Sequence, residues 1–479
     1  MPDTHQNFRP TMHFSAPFGW INDPNGLVYM DGEWHLFYQY YPFGTTWGPM
    51  HWGHAVSRDL LQWEHLPIAL KPDQNGQCFS GSSVVDTYNT SGLFEHPSQS
   101  NLVSLYTNTL GLTAIQDNGL QAQSIATSTD GRYFKQHIDL NPVAPNEGIQ
   151  HFRDPKVFWH DPTNKWVMVV TEGQSIGLYG STTLTKWEKL STWGEEEAIH
   201  DELPWECPDL FPITDDQGVE RWVLVIGLQR AAYAGGSGTQ YVVGHFDGER
   251  FTNLNAKEDA LYLDYGKDFY AAQSFSNAPN GRRIAIAWMS NWLYANDVPT
   301  DGYRGSMTLP RELFLITTEQ GLRLKQSFII DSLTSSANEA IQHNEPNQWC
   351  FELKQGLLKA ELKMSKGTQI EIKPFGDKAL TYRISHSESG YLVETKRKVV
   401  VSSSNVFEQA FPYQSRFIIP SQNALNLMLA KDAHSCELLL CDGLYSCTDT
   451  VFTHDTGKVT CSILEGQILM ESVDVLSHT

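Results

Sequence analysis

A short motif, an acidic residue beside proline at the start of a pair of strand-like segments, recurs along this chain and most constrains its fold. It occurs at Asp23-Pro24, at Asp154-Pro155 and, with one residue between, at Glu206-Cys207-Pro208. Proline fixes its own φ and biases the preceding residue toward an extended backbone. Each motif is followed by an apolar segment, a polar turn and a second apolar segment, which is typical of a β-hairpin. Each acid is therefore predicted to lie at the mouth of a strand pair.

Two looser units, within residues 79–106 and 268–288, complete a series of five. Repeated units of several short strands are typical of a β-propeller, and five units predict five blades. Equivalent positions of the blades face one central axis. We therefore expect Asp23, Asp154 and Glu206 to converge on one funnel, although they lie far apart in the sequence.

Local turn signals refine the first unit. Asn25-Gly26 suits a tight turn, and segments 27–29 and 34–38 are predicted as a hairpin around Asp31-Gly32. Acid and proline thus belong, in this interpretation, to a loop that comes just before the first strand.

The pattern changes after the repeats. Residues 321–340 include a polar, Ser/Asn/Glu-rich stretch that is predicted as a linker, and residues 341–479 carry short alternating segments typical of a β-sandwich. Helix signals are scarce. The sequence therefore predicts an all-β protein, with a five-bladed β-propeller catalytic domain in residues 1–320 and a C-terminal β-sandwich domain.

Composition restricts the partners. A net charge of −21 and a pI near 5.2 disfavour nucleic acid and anionic membranes, since both would repel the protein. Fourteen tryptophans suit a neutral small-molecule sugar. The seven cysteines lack the spacing of a zinc site, and neither a metal nor a cofactor is expected. The N-terminal residues lack the pattern of a signal peptide, so a cytoplasmic location is expected. The sequence indicates no particular oligomeric state.

Three converging carboxylates favour glycoside hydrolysis, in which one acts as the nucleophile and a second protonates the leaving oxygen. Asn22 and Asn25 can donate hydrogen bonds that keep Asp23 ionised, which suits a nucleophile. Glu206 stands between Trp205 and Cys207, an apolar setting that suits the acid/base. Arg153 is expected to hold Asp154 ionised, as a binder of sugar hydroxyls that stabilises the transition state.

The motif set resembles glycoside hydrolase family 32, which includes invertases, β-fructofuranosidases and fructan exohydrolases. The resemblance rests on Trp20-Ile21-Asn22-Asp23-Pro24-Asn25-Gly26, Arg153-Asp154-Pro155, Glu206-Cys207, Phe79-Ser80-Gly81-Ser82 and Asp264-Tyr265-Gly266-Lys267-Asp268-Phe269-Tyr270. It implies a five-bladed propeller, a following sandwich and retaining attack, with Asp23 as nucleophile, Glu206 as acid/base and Asp154 as transition-state stabiliser. The substrate-binding residues that it implies are Asn22, Gln39, Trp47, Phe79, Ser82, Arg153, Asp268, Tyr270 and Trp288.

The leaving group is the open question. The segments 47–52 and 234–241 look more like those of β-fructosidases and invertases than those of sucrose-6-phosphate hydrolases. No basic cluster stands near the motifs to bind a phosphate. We therefore expect an invertase-type enzyme acting on sucrose and short fructooligosaccharides. The alternatives are a sucrose-6-phosphate hydrolase and a non-catalytic sugar-binding propeller.

Overall fold

A computed structural model describes residues 8–109, 120–194, 197–254, 261–330, 334–335, 342–345, 347–376 and 379–477. Within these ranges the regular secondary structure is almost entirely β-strand, as the sequence predicts. One α-helix, Asn405–Ala410, is present in the described part, with 3₁₀ segments at Asp161–Thr163, Pro279–Gly281, Ala295–Asp297 and Cys441–Gly443.

Five antiparallel sheets fill the first two thirds of the chain, and the first also takes up a parallel strand, Tyr303–Arg304. The first sheet contains Gly19–Met30, Glu33–Tyr41, His51–Ser57 and Glu64–Leu70. The second contains Gln77–Val85, Leu102–Thr109, Gln121–Ser128 and Lys135–Gln136. The third contains Phe152–His160, Lys165–Glu172, Ser175–Ser181 and Glu188–Trp193. The fourth contains Glu206–Thr214, Glu220–Leu228, Gly238–Phe246 and Phe251–Asn253. The fifth contains Tyr270–Ser274, Ile284–Trp288, Arg311–Thr318 and Gly321–Phe328.

Two larger sheets follow. One contains Thr334–Ser335, Ile468–Ser477, Gly356–Met364, Leu425–Asp432, Ser435–Leu440 and Tyr445–Thr450. The other contains Gln342–Glu345, Gln348–Glu352, Lys458–Glu465, Gln369–Lys373, Leu380–Ser387, Gly390–Arg397 and Tyr413–Ile419. Alternate residues of both sheets, such as Leu358 and Leu429 of the first and Ile370 and Ile384 of the second, share one hydrophobic core.

The first strand of each of the five sheets, called here the inner strand, contacts the inner strand of the next sheet. The fifth inner strand, Tyr270–Ser274, contacts the first, Gly19–Met30, so the five form a closed ring. The ring is closed by backbone hydrogen bonds from Tyr29 N–H to the Ser276 carbonyl and from Ser276 N–H to the Leu27 carbonyl. Residues distant in sequence thereby meet around one axis.

Each inner strand carries a β-bulge near its start. The pairing register shifts between Ile21 and Pro24, Cys78 and Gly81, Arg153 and Lys156, Glu206 and Asp209, and Tyr270 and Gln273. A bulge leaves extra residues unpaired and redirects their side chains. The same defect at the same place in five strands therefore aims five sets of side chains at one region.

The predicted Asn25-Gly26 turn is wrong, since both residues lie inside the strand Gly19–Met30 at a second register shift. Gly26 has a φ of 54°, and a Cβ there would stand 2.6–2.8 Å from Phe37, Ser83 and Trp52. Glycine is required at this bulge because the neighbouring side chains leave no room for a Cβ. In the sequence, an Asn-Gly pair at such a bulge looks the same as an Asn-Gly pair at a turn.

The predicted linker also begins differently. Gly321–Phe328 pairs along its length with Arg311–Thr318 and buries Leu324 and Phe328, so the fifth sheet continues past residue 320. Most of residues 331–341 lie outside the described ranges. No helix in the described part of the chain is long and apolar enough to cross a membrane.

Candidate active site

The bulges bring together the three acids that the sequence singles out. Asp23, Asp154 and Glu206 lie at or beside the bulges of the first, third and fourth inner strands. The Cys207 sulfur lies 3.4 Å from Asp23 Oδ2 and 3.7 Å from Asp154 Oδ2. The predicted convergence of the acids is therefore present.

Asp23 is buried and accepts hydrogen bonds at both oxygens. Ser80 Oγ donates to Oδ2 over 2.6 Å, and Asn22 Nδ2 donates to Oδ1 over 3.0 Å. Asn22 is itself oriented by Trp20, whose Nε1 donates to Asn22 Oδ1 over 2.8 Å. These contacts fix the direction of the carboxylate, as a nucleophile requires.

Asp154 and Cys207 adopt strained backbones, with φ values of 63° and 49°. Non-glycine residues rarely occupy this left-handed region, and such strain persists only where neighbouring contacts hold it. The Cys207 N–H donates to Asp154 Oδ2 over 2.9 Å, and the Asp154 N–H donates to Thr107 Oγ1 over 3.0 Å. The third and fourth inner strands are thus joined through the two strained residues.

Glu206 has polar neighbours, so the predicted apolar setting is wrong. Arg153 Nη2 donates to Glu206 Oε1 over 2.9 Å, and the Tyr270 hydroxyl donates to Oε2. Trp205 packs away from the acids, against Trp193 and His200. The side chain of Glu206 is 20% exposed, against 7% for Asp154. Glu206, whose carboxylate is more exposed than that of Asp154, is therefore the acid that Arg153 and Tyr270 contact.

The pKa values of Asp23 and Asp154 are higher than the sequence predicts. Burial, reinforced by the charge of Glu206, raises the pKa of Asp23 despite its hydrogen bonds. Burial also raises the pKa of Asp154 to about 7, and Glu206 and Asp23 add to the increase while Arg153 opposes it. Arg153 Nε stands 3.9 Å from Asp154, because the guanidinium turns toward Glu206. Arg153 favours the ionised form of Asp154, as predicted, but its charge does not outweigh burial and the neighbouring acids.

Several predicted binding residues line the same region. Gln39 is buried and donates from Nε2 to the Cys78 carbonyl over 3.0 Å, beside the second bulge. Trp47 and Phe79 are half-buried and meet edge to face at 6.1 Å. Trp47 is joined to the fifth sheet's loops, since its N–H donates to Asn296 Oδ1 over 3.0 Å.

Two predicted binding residues, Ser82 and Trp288, serve other contacts. Ser82 Oγ donates to the Pro155 carbonyl and accepts from the Val157 N–H, each over 2.9 Å, so it joins neighbouring inner strands. Trp288 is fully buried among Trp20, Tyr270 and Trp292.

Asp268 is not brought to Glu206. Its carboxylate is fully buried and contacts Arg397, Tyr294 and Thr450, at the boundary with the C-terminal sheets. A position two residues before Tyr270 lies outside the bulge that aims Tyr270 at Glu206, which explains the difference.

Ser80 and Cys207 contact the acids, although the sequence does not predict either as a site residue and both stand in its motifs. Both lie within register shifts, Ser80 between Cys78 and Gly81 and Cys207 just after Glu206. The resemblance implies Ser82, whereas Ser80, which lies within the register shift, is the serine that contacts Asp23. The signal for both residues is the register shift, which is visible in the structure and not in the sequence.

The family of the chain follows from comparison with known proteins. Residues 13–327 match the description "Glycosyl hydrolases family 32 N-terminal domain". The chain belongs to glycosyl hydrolase family 32. This confirms the resemblance found in the motifs and places the three acids in a glycoside hydrolase.

Relatives of this family 32 protein cover most of the chain. A levanase from Bacillus subtilis (strain 168) is 41% identical over 471 residues, covering 95% of this chain and 68% of the relative. An extracellular exo-inulinase from Meyerozyma guilliermondii is 39% identical over 360 residues, covering 72% and 67%. The chain thus spans about two thirds of the length of these relatives.

Solved structures agree with the fold. An exo-inulinase from Aspergillus awamori aligns with a TM-score of 0.83 at 30% identity, covering 99% of both chains. A β-fructofuranosidase from Schwanniomyces occidentalis, complexed with fructosyl-erythritol, aligns with a TM-score of 0.84 at 31% identity, covering 98% of this chain and 97% of that one. The C-terminal sheets therefore belong to the shared architecture.

Proposed function

We propose that the protein is a retaining β-fructofuranosidase that hydrolyses terminal non-reducing β-D-fructofuranosyl residues of sucrose and short fructooligosaccharides. One observation carries the proposal. Glu206 and Asp23 lie at one site but have different partners: Arg153 and Tyr270 at Glu206, and Ser80 and Asn22 at Asp23. Retaining hydrolysis needs two such carboxyl groups in different roles.

In the first step, Asp23 attacks the anomeric carbon of the fructosyl unit, and Glu206 gives its proton to the leaving oxygen. The bond between anomeric carbon and oxygen breaks, and a covalent fructosyl ester forms on Asp23. Ser80 and Asn22 fix the direction of the attacking carboxylate. The raised pKa of Asp23 reflects an anion that burial destabilises, which favours its conversion to a neutral ester.

In the second step, the ionised Glu206 takes a proton from water while the water oxygen attacks the anomeric carbon, and the bond between that carbon and the Asp23 oxygen breaks. Fructose leaves with its configuration retained, and both carboxyl groups return to their starting states. Tyr270 and Arg153 stabilise the Glu206 carboxylate between the steps. The same two contacts serve the residue in both roles.

Asp154 and Arg153 supply sugar contacts in this proposal. Arg153 Nη1 is buried and has no hydrogen-bond partner among the described residues, so it is available to a substrate hydroxyl. Asp154 accepts from Cys207 N–H and keeps a second oxygen for hydroxyl groups. Asn22, Gln39, Trp47 and Phe79 complete the fructosyl pocket.

We interpret the ring of five sheets as a five-bladed β-propeller and the two larger sheets, which share one core, as a β-sandwich. The boundary is placed after Phe328, where the fifth sheet ends. The acids then lie at one end of the propeller axis.

Initial rates of fructose release from sucrose, sucrose 6-phosphate, 1-kestose, inulin and levan test the function. We expect fast cleavage of sucrose and 1-kestose and slower cleavage of the polymers. A strong preference for sucrose 6-phosphate would support the phosphate-specific alternative, and a preference for levan would give the protein the substrate named for its Bacillus relative. Release of no fructose from any of them would favour a non-catalytic sugar-binding protein.

A further inference from the structure

A buried lysine lies beside the acids and takes no part in the proposed reaction. Lys156 follows Asp154 by two residues on the third inner strand and is 5% exposed. Its ammonium donates to Asp209 Oδ2 over 3.1 Å, to Gln273 Oε1 over 3.3 Å and to the Ser274 carbonyl over 2.6 Å. These acceptors belong to the fourth and fifth inner strands.

Gln273 connects Lys156 to the backbone that follows Glu206, the proposed acid/base. Its Nε2 donates to the carbonyls of Cys207 and Pro208, over 2.9 and 3.2 Å. These two peptide groups follow Glu206 directly, and the first belongs to the residue with a φ of 49°. A strained backbone needs contacts that hold it, and the Gln273 amide supplies two of them.

Asp209 completes the cluster. Its Oδ2 accepts from the Ser274 N–H over 2.6 Å as well as from Lys156, so it joins the fourth strand to the fifth. Arg283 is the other nearby cation, and its Nη1 donates to Ser274 Oγ over 3.3 Å. Lys156 is thus the one described group that contacts Asp209, Gln273 and Ser274 together.

The three strands joined by Lys156 carry Asp154, Glu206 and Tyr270, one on each. We propose that Lys156 is a positioning residue for Glu206, acting through Asp209 and Gln273; the inference rests on the proposed function of Glu206 as the acid/base. The ammonium fixes the Gln273 amide, and the amide fixes the bulge from which Glu206 projects.

Lys156→Met tests this because it keeps the length of the chain and removes the donor. Gln273 then loses its anchor, and the bulge at Cys207 relaxes. Small displacements of catalytic groups lower rates by large factors, so we expect kcat/KM for sucrose to fall about 10- to 100-fold.

The choice of substrate separates positioning from general damage. An aryl substrate, 4-nitrophenyl β-D-fructofuranoside, has a leaving group that needs little protonation. A displaced Glu206 therefore costs less on it than on sucrose, and we expect kcat/KM for the aryl substrate to fall less than about threefold. Equal losses on both substrates would overturn the inference, as would unchanged kcat/KM on sucrose.

Two further variants complete the test. Lys431→Met removes another buried lysine, which lies in the strand Leu425–Asp432 and donates to the Leu353 carbonyl and to Asp455. This variant should lower thermal stability but change kcat/KM for the two substrates equally. Gln273→Met leaves the ion pair between Lys156 and Asp209 in place and should reproduce the selective loss on sucrose, so it decides the question even if Lys156→Met does not fold. Wild-type protein that cleaves neither substrate would overturn the proposed function instead.

Discussion

The active site and the boundary between the ring and the C-terminal sheets both bury charged groups, but they balance them differently. At the site, burial and mutual repulsion raise the pKa of both Asp23 and Asp154. At the boundary, His13 contacts Asp432 over 2.9 Å and Glu437 over 2.7 Å, and the pKa of both acids is lowered.

Arg311 extends this boundary cluster. It donates to Glu437, to Asp264 Oδ2 over 3.1 Å and to Thr448 Oγ1 over 2.6 Å, so opposite charges alternate through the buried network. Buried acids whose charge is not fully balanced favour catalysis but lower the stability of the fold. Buried acids paired with cations hold the ring and the C-terminal sheets together. Neutralising an acid should therefore preserve or raise the stability of the fold at the active site and lower it at the boundary.

The largest effect is expected at the site. Asp23→Asn removes the nucleophile but keeps the shape and the hydrogen-bonding partners, so sucrose turnover should fall about 10⁴-fold or more. The melting temperature should stay level or rise, because a buried, destabilised charge has been removed. Fructose release and thermal unfolding measured on one preparation check both halves. Retained activity would remove Asp23 from the proposed mechanism.

The second prediction concerns the boundary. Glu437→Gln leaves Arg311 and His13 short of a buried counter-charge, so the free energy of unfolding should fall by about 3–5 kcal/mol. Urea denaturation measures it. Glu312→Gln is the matched control, because it breaks a partly exposed pair with Arg282 and should cost less than about 1 kcal/mol. Equal losses in the two variants would contradict the comparison.

The two regions also differ in what their sequence reveals. The acids at the site stand in repeated motifs beside proline, so their convergence could be predicted from the repeat alone. The bulges could not be predicted, because the sequence does not show where the pairing register shifts. Ser80, within a shift, contacts Asp23, whereas Ser82, beyond it, contacts the neighbouring inner strand. At the boundary, Asp264 contacts Thr448 and Asp268 contacts Arg397. The two residues of each pair are more than a hundred positions apart in the sequence, and the second of each pair lies outside the repeats.

A third prediction uses Asp154, whose pKa of about 7 lies above the value of an exposed aspartate. An acid with a raised pKa destabilises the fold once it is ionised, so this cost is absent below about pH 4 and complete above about pH 7. Asp154→Asn removes the cost. The variant should melt about 2 °C or more above the wild type at pH 8, with no difference at pH 4, while sucrose cleavage falls. A lower melting temperature at pH 8 would show that Asp154 is compensated.

The smallest effect is expected from titrating His13. Burial alone would lower its pKa, but the hydrogen bonds to Asp432 and Glu437 outweigh burial and raise the pKa to about 9. A histidine whose pKa is raised in the folded state stabilises the fold fully below its unfolded pKa of about 6.5, and this contribution is lost as the pH rises through about 9. Arg311 still neutralises Glu437 when His13 loses its proton, so the loss should be smaller than that of Glu437→Gln.

His13→Gln isolates this contribution, because glutamine can still hydrogen-bond to one carboxylate but carries no charge. The urea midpoint of the variant should lie below that of the wild type at pH 6, and the gap should narrow toward pH 10 as the wild-type histidine becomes neutral. A gap that stays constant across this range would mean that His13 acts through packing alone. Arg311, Glu437 and Asp264 would then hold the ring and the C-terminal sheets together, and opposite charges would alternate only among those three groups.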